Sequence, residues 1–179
     1  MTTPPTALLV HGAFAESSSW QHVITRLQAE GVDAIAIANP LRSLAGDAQY
    51  VRDVAASIDG PVLLVGHSYG GMVVTEAASD VPNAVGLVYV GAFAPDTGET
   101  ALELSARWPG STLGEALATY PLADGGTELT IAREKFPAQF AADIEPALAA
   151  NMARTQRPVT EAALTTPLVA NPAPWRSLP

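Results

Sequence analysis

A serine flanked by glycines is the group in this sequence best suited to covalent chemistry. Ser68 lies in GHSYGG (66–71), after the apolar run PVLLV and before a run of small residues that fits a helix. A serine on such a strand-to-helix turn has strained backbone angles, and glycines two places away on either side avoid a clash between side chains. The helix also directs unpaired N–H groups and the positive end of its dipole towards one point, where an oxyanion would be stabilised. We therefore predict that Ser68 is a nucleophile.

The loop after the first apolar run supplies a second group for the same chemistry. Residues 6–10 (TALLV) are followed by His11, Gly12 and Ala13. A glycine followed by a small residue lets the backbone approach a substrate closely. We predict that the Ala13 N–H and the Tyr69 N–H together form an oxyanion hole.

A serine hydroxyl is a weak nucleophile without a base, and no histidine is placed to supply one. His11 ends a buried strand, His67 points away from its neighbour on the turn, and His22 falls inside a helix, so we predict structural roles for all three. Downstream of Ser68 the sequence contains no histidine. An enzyme that loses a member of its catalytic triad typically accelerates the reaction only about 10³–10⁴-fold over the rate in water.

Other ionisable residues add little. Asp96, in Pro-Asp-Thr-Gly, is a weak candidate for the acid of a triad, although a turn role is the favoured interpretation. The only lysine, Lys135, lies outside the predicted core. The sequence contains no cysteine, which excludes disulfides, thiolate chemistry and a cysteine-rich zinc site. We predict neither a cofactor nor a metal.

The elements that must position Ser68 alternate regularly. Four apolar runs alternate with segments whose apolar residues have helical spacing. This alternation requires right-handed crossovers. The predicted strands are 6–10, 32–38, 61–65 and 84–90, and the predicted helices lie at about 20–31, 51–58 and 68–79. The fold class is therefore α/β, a doubly wound and mostly parallel sheet with helices on both faces.

The pattern changes after Pro95-Asp96. Short helical stretches at 99–108, 111–119 and 144–155 accompany a hairpin at 120–132 that turns at Asp124-Gly125-Gly126. We therefore divide the chain into a core at 1–95, a mainly helical cap at 96–167 and a Pro-rich tail at 168–179.

Bulk composition limits the partners. With 179 residues, 48% of them hydrophobic, the chain is one domain or a domain with an inserted lobe. A net charge of −9 argues against binding nucleic acid. No apolar run reaches the roughly 18 residues of a membrane span, and the first residues do not have the pattern of a signal peptide. We expect a cytoplasmic protein that binds a small molecule rather than a membrane.

Three stretches together resemble the α/β-hydrolase superfamily: VHGAF (10–14), VGHSYGG (65–71) and VYVGAFAPDTGE (88–99). They are most similar to the small bacterial esterase-like hydrolases related to plant methylesterases and hydroxynitrile lyases. The resemblance covers residues 6 to about 99. It implies Ser68 as the nucleophile, Ala13 and Tyr69 as the oxyanion donors, and the lobe as a cap over the pocket.

The resemblance also implies strands after the tail, carrying the acid and then the catalytic histidine, in that order. The chain reaches Pro179 without them, so we expect a fragment whose last strand, AVGLVYV (84–90), is an open edge. Such an edge would accept a second copy or a complementing C-terminal fragment. The leading hypothesis is a serine hydrolase of carboxylic esters, inactive or weak as this chain. The alternatives are a hydroxynitrile-lyase-like enzyme and a non-catalytic ligand-binding or interaction protein.

Overall fold

A parallel four-stranded sheet forms the centre of the protein. The computed structural model describes residues 3–179. Strands β1 (Thr6–Val10), β2 (Ala34–Ile37), β3 (Val62–His67) and β4 (Ala84–Val90) pair in the order β2-β1-β3-β4. All three pairings are parallel, as the alternation of apolar runs and helical patterns predicts.

Helices cover both faces of this sheet. Helix α1 (Gln21–Ala29) lies on one face, and α2 (Leu44–Ala56) and α3 (Gly70–Ala78) lie on the other. All nine residues of α3 are buried, which explains why small residues and valine dominate its sequence. The doubly wound α/β fold is confirmed.

The lobe at 96–167 combines short helices with a small antiparallel sheet. Its helices are α4 (Ala101–Ala106), α5 (Phe136–Phe140), α6 (Pro146–Thr155) and α7 (Glu161–Thr165), and its strands are β5 (Leu117–Pro121), β6 (Thr127–Ile131) and β7 (Val159–Thr160). The strands pair in the order β5-β6-β7.

The predicted hairpin is present, whereas the helix predicted at 111–119 is wrong. Only a 3-10 turn at Leu113–Ala116 forms, and Leu117–Pro121 then pairs with β6. Backbone pairing with β6 overrides the weak helical pattern, because Thr119, Tyr120 and Pro121 favour extended backbone over a helix interior.

The tail runs along the core rather than away from it. The Leu168 N–H donates to the Glu99 carbonyl at 2.9 Å, and the indole N–H of Trp175 donates to the Pro95 carbonyl at 2.7 Å. At the edge of β4, the Leu87 N–H donates to the Pro179 carbonyl at 2.9 Å. Val85, Val88 and Val90 of β4 remain exposed. None of the helices within residues 3–179 has the length and apolar character to cross a membrane.

Candidate active site

Ser68 occupies the turn between β3 and α3 in a left-handed conformation, with a φ of 52°. Such an angle is costly for a residue with a side chain and persists only where the surroundings enforce it. Here the Ser68 carbonyl accepts hydrogen bonds from the N–H groups of Gly71, at 2.9 Å, and Phe93, at 3.2 Å. Two neighbouring segments therefore hold the strained residue in place.

The glycines of the turn are required by close backbone approach. A Cβ atom on Gly66 would lie 2.6 Å from the Gly70 carbonyl oxygen, which confirms the predicted contact between these two positions. A Cβ on Gly70 would lie 2.3 Å from the Val10 carbonyl oxygen. The turn therefore packs directly against the end of β1, and this contact brings the loop after β1 next to Ser68.

The predicted oxyanion donors lie on these two adjoining segments. A Cβ on Gly12 would lie 2.6 Å from Ser68 Cβ and 3.1 Å from Ser68 Oγ, so the backbone at Gly12 lies against Ser68. Neither the Ala13 N–H nor the Tyr69 N–H donates a hydrogen bond to any described residue. Both N–H groups are without a partner among the described residues, and their role as an oxyanion hole stays a prediction.

The Tyr69 side chain is anchored in the core. Its hydroxyl donates a 2.9 Å hydrogen bond to Oδ2 of Asp47, and Oδ1 of Asp47 accepts from the Arg42 backbone N–H at 3.1 Å. Both side chains are buried, and burial raises the pKa of Asp47 and of Tyr69 above their ordinary values. Sequence reasoning missed Asp47, because nothing in the pattern of α2 distinguishes it from a solvated helix residue.

The three histidines do not reach Ser68. His11 is fully buried and its Nδ1 donates to the Gly12 carbonyl at 2.9 Å, while the His67 ring packs edge-to-face on Trp20, with centroids 6.3 Å apart. Burial lowers the pKa of both imidazoles. His22 is exposed on α1. Within residues 3–179 no side chain forms a hydrogen bond with the Ser68 hydroxyl.

Asp96 takes part in a turn and an ion pair. The Glu99 N–H donates to the Asp96 carbonyl at 3.0 Å, and Gly98 has a φ of 89°, which is the turn expected for Pro-Asp-Thr-Gly. The Asp96 carboxylate accepts from two nitrogens of Arg176 at 2.6 and 3.0 Å. Nothing in this arrangement connects Asp96 to a histidine, and its role as the acid stays untested.

A cavity of about 300 Å³ lies between the loop after Ala13 and helices α5 and α6. Its apolar lining comprises Phe14, Phe136, Phe140, Ile144, Leu148 and Met152, and Glu16, His22 and Gln156 are among its polar lining residues. The cavity begins at Phe14, one residue after the predicted donor Ala13, and Ser68 is not part of its lining. Among the described residues, no group of three His, Asp or Glu side chains is arranged to hold a metal ion.

The parallel sheet, the strained serine and the glycine contacts around it are features of one protein family. The chain belongs to the alpha/beta hydrolase family, whose model matches residues 7–179.

Several of the proteins that this chain is similar to are esterases or hydrolases. A carbendazim hydrolyzing esterase of Nocardioides sp. (strain SG-4G) is 43% identical over an alignment of 60 residues that covers 31% of this chain and 25% of that esterase. The match therefore spans about a quarter of the curated relative. The crystal structure of polyneuridine aldehyde esterase superposes with a TM-score of 0.77 at 18% identity, covering 98% of this chain and 78% of that one. A pyrethroid hydrolase structure gives a TM-score of 0.76 at 20% identity, with coverages of 99% and 76%.

Proposed function

We propose that the protein is a serine hydrolase of carboxylic esters in which Ser68 forms an acyl-enzyme. The observation that carries this proposal is the strained Ser68, at a φ of 52°, beside two backbone N–H groups with no partner among the described residues. Such strain concentrates at functional sites because it holds a side chain in a reactive position. The esterase and hydrolase relatives support the same reaction class.

In the proposed reaction, Ser68 Oγ attacks the ester carbonyl carbon and the carbonyl oxygen becomes an oxyanion. The N–H groups of Ala13 and Tyr69 donate to this oxygen, and collapse of the intermediate expels the alcohol with the proton that left the serine. Water then attacks the acyl-Ser68 ester and releases the carboxylic acid. The serine hydroxyl and its proton are restored at the end of the cycle.

The proton of Ser68 has no side-chain acceptor within residues 3–179. Solvent must accept the proton in this chain, and we therefore propose that esterolysis by these residues alone is weak. The oxyanion donors and substrate binding would still contribute, since removing a triad member leaves about 10³–10⁴-fold catalysis in serine proteases.

The cavity beside Phe14 supports a small or aromatic ester as the substrate. Its walls are mostly apolar, and the Phe14 and Phe140 rings meet edge-to-face with centroids 6.3 Å apart. An aromatic group packs favourably against such rings. Because Phe14 follows Ala13 directly, a group bound in the cavity holds the ester close to the proposed donor.

A non-catalytic ligand-binding protein is the second candidate. The lack of a side-chain acceptor for Ser68 among residues 3–179 favours it, because the cavity would bind an apolar molecule with or without a reactive serine. This candidate predicts binding of aromatic esters with no covalent product.

Acetylation by p-nitrophenyl acetate tests the leading proposal. The wild-type chain and Ser68→Ala are incubated with the ester at a series of imidazole concentrations, and intact mass and peptide mapping locate the acetyl group. Imidazole supplies the missing base, so we expect it to accelerate acetylation at Ser68 and to leave Ser68→Ala at the background rate. Equal acetylation of the two proteins would refute the nucleophile and favour the binding protein.

A further inference from the structure

A buried carboxylate lies behind the turn that carries Ser68. Asp47 belongs to α2, has no exposed surface, and lies within the main apolar core. Its two oxygens accept hydrogen bonds from the Tyr69 hydroxyl, at 2.9 Å, and from the Arg42 backbone N–H, at 3.1 Å. Within residues 3–179 no guanidinium or ammonium group forms an ion pair with it.

The start of α2 accounts for only one of its two hydrogen bonds, the one from the Arg42 backbone N–H. Ser43 already caps α2, since its hydroxyl accepts from the Gly46 N–H at 3.1 Å. The Arg42 guanidinium forms no ion pair with Asp47 and donates to the Pro158 carbonyl at 2.9 Å. Burying a charge without a cation is costly, and an apolar residue of similar size would fill this core position more cheaply. The remaining feature that requires an acceptor here is the Tyr69 hydroxyl.

Tyr69 carries both the anchored hydroxyl and the backbone N–H that we propose as an oxyanion donor. The residue before it is strained, so the peptide between Ser68 and Tyr69 keeps its orientation only if both of its sides are held. The Ser68 carbonyl is held by Gly71 and Phe93, and the Tyr69 side chain is held by Asp47. We infer that Asp47 is a positioning residue that fixes the direction of the Tyr69 N–H towards the substrate oxyanion, an inference that rests on the proposed function.

The segment that supports Asp47 is itself fixed to the lobe. The Leu41 carbonyl accepts from the Thr160 N–H at 3.1 Å, and the Arg42 carbonyl accepts from the Thr160 hydroxyl at 2.6 Å. The Arg42 peptide therefore lies between the lobe on one side and Asp47 on the other. Asp47 therefore connects Tyr69, the proposed oxyanion donor, to a segment that is hydrogen-bonded to the lobe.

Three variants test the inference. Tyr69→Phe removes the hydroxyl, and Asp47→Asn removes the charge at nearly constant volume. Tyr89→Phe is the matched control. The Tyr89 hydroxyl forms a 2.7 Å hydrogen bond with Thr75 of α3, the helix that follows Tyr69, but this bond lies away from the oxyanion donor. Acetylation of Ser68 by p-nitrophenyl acetate is measured with imidazole present, and amide hydrogen exchange of the 66–72 segment is measured without ester.

We expect Tyr69→Phe and Asp47→Asn each to lower the maximal acetylation rate about tenfold at an unchanged half-saturating ester concentration. Deleting an oxyanion donor outright costs about 10²–10³-fold, and misdirecting one costs less. The double variant should be no slower than the worse single variant, because both remove the same anchor. Exchange of the Gly71 amide, which donates to the Ser68 carbonyl at 2.9 Å, should accelerate in both variants and not in Tyr89→Phe.

Two results would overturn the inference: acetylation at the wild-type rate in both variants, or a loss that Tyr89→Phe reproduces. If the wild-type chain reacts no faster than Ser68→Ala, the proposed function fails instead. The amide exchange then decides the positioning role alone, and an unchanged Gly71 amide in both variants overturns it.

Discussion

The carboxylate of Glu76, on the helix that follows Ser68, accepts a 2.9 Å hydrogen bond from the backbone N–H of Val169. The same oxygen accepts from the Ala170 N–H at 3.2 Å. A single buried side chain of α3 therefore fixes the tail to the core across more than 90 residues of sequence. Arg52 lies beside Glu76 and balances part of its charge, with 3.9 Å between Nη2 and Oε1.

Replacing Glu76 by Gln should loosen the tail. The variant loses the charge that strengthens both hydrogen bonds, and we expect the free energy of unfolding to fall by about 1–2 kcal/mol. Asp80→Asn is the matched control, because Asp80 also approaches Arg52, at 3.5 Å, but its side chain is 72% exposed. Urea denaturation measures the loss, and hydrogen exchange of the 166–172 segment locates it. Equal losses in the two variants would contradict the anchoring role.

Gly71 should tolerate no side chain. A Cβ at this position would lie 2.1 Å from the Phe93 carbonyl oxygen, on the loop after β4. We expect Gly71→Ala to lower the free energy of unfolding by about 2–4 kcal/mol, because backbone atoms must move to accept it. Gly114→Ala is the control: a Cβ there meets nothing within 4 Å, and its effect should stay within about 0.5 kcal/mol. Comparable midpoints for the two variants in thermal unfolding would refute the packing argument.

Acidification should destabilise the fold through the buried imidazole of His11 and the partly buried imidazole of His67. Desolvation lowers the pKa of His11 and His67 in the folded protein, whereas an unfolded imidazole titrates near about 6.5. Between the lowered folded value and about 6.5, the unfolded chain binds more protons, so the free energy of unfolding decreases as the pH falls. His67→Phe keeps an aromatic ring on Trp20 and should reduce this dependence.

The difference in the free energy of unfolding between wild type and His67→Phe isolates the contribution of the His67 imidazole to the pH dependence. Asp47, with its raised pKa, contributes to the pH dependence with the opposite sign, and its contribution cancels in that difference. Chemical denaturation between pH 5 and 8 gives the two curves, and an NMR titration of the His67 ring gives its pKa directly. A His67 pKa at or above about 6.5 would contradict the prediction.

The cavity should lose affinity when its aromatic wall is shortened. Phe140 contacts the Phe14 ring edge-to-face and the Phe136 ring at 5.0 Å, so Phe140→Ala opens the wall that two aromatic contacts define. We expect binding of 2-naphthyl acetate to weaken about tenfold, which corresponds to a loss of about 1.4 kcal/mol of binding free energy. Titration calorimetry in the Ser68→Ala background measures binding without turnover. Leu102→Ala, at a side chain that is 53% exposed on α4, is the control, and the same loss there would exclude the cavity as the binding site.

The parallel sheet and the serine turn were predictable because their signals are local. Each strand of the core is a continuous apolar run between turn residues, and the glycines at 66 and 70 mark a turn that few other sequences can form. The predicted contact between those glycines is present in the structure, where a Cβ on Gly66 would lie 2.6 Å from the Gly70 oxygen. Short sequence windows contain all of this information.

The contacts that hold the site in place were not predictable, because they join residues distant in sequence. Asp47 reaches Tyr69 across 22 residues, and Glu76 reaches Val169 across 93. Such hydrogen bonds depend on how helices cross and on where the tail passes, which hydrophobic periodicity does not encode. The two-residue strand β7 was missed for a related reason: Val159–Thr160 is too short to carry an alternating pattern.

Phe14 adopts a left-handed backbone, with a φ of 62°, between the Ala13 N–H and the aromatic wall of the cavity. The cavity wall and the proposed oxyanion donor therefore meet at this residue, since Phe14 lines the cavity and follows Ala13 directly. An engineer seeking a new substrate range should leave position 14 alone and diversify Ile144 and Leu148, which border the same cavity from the lobe. Substitutions at those positions should change the shape of the cavity without disturbing the backbone beside Ser68.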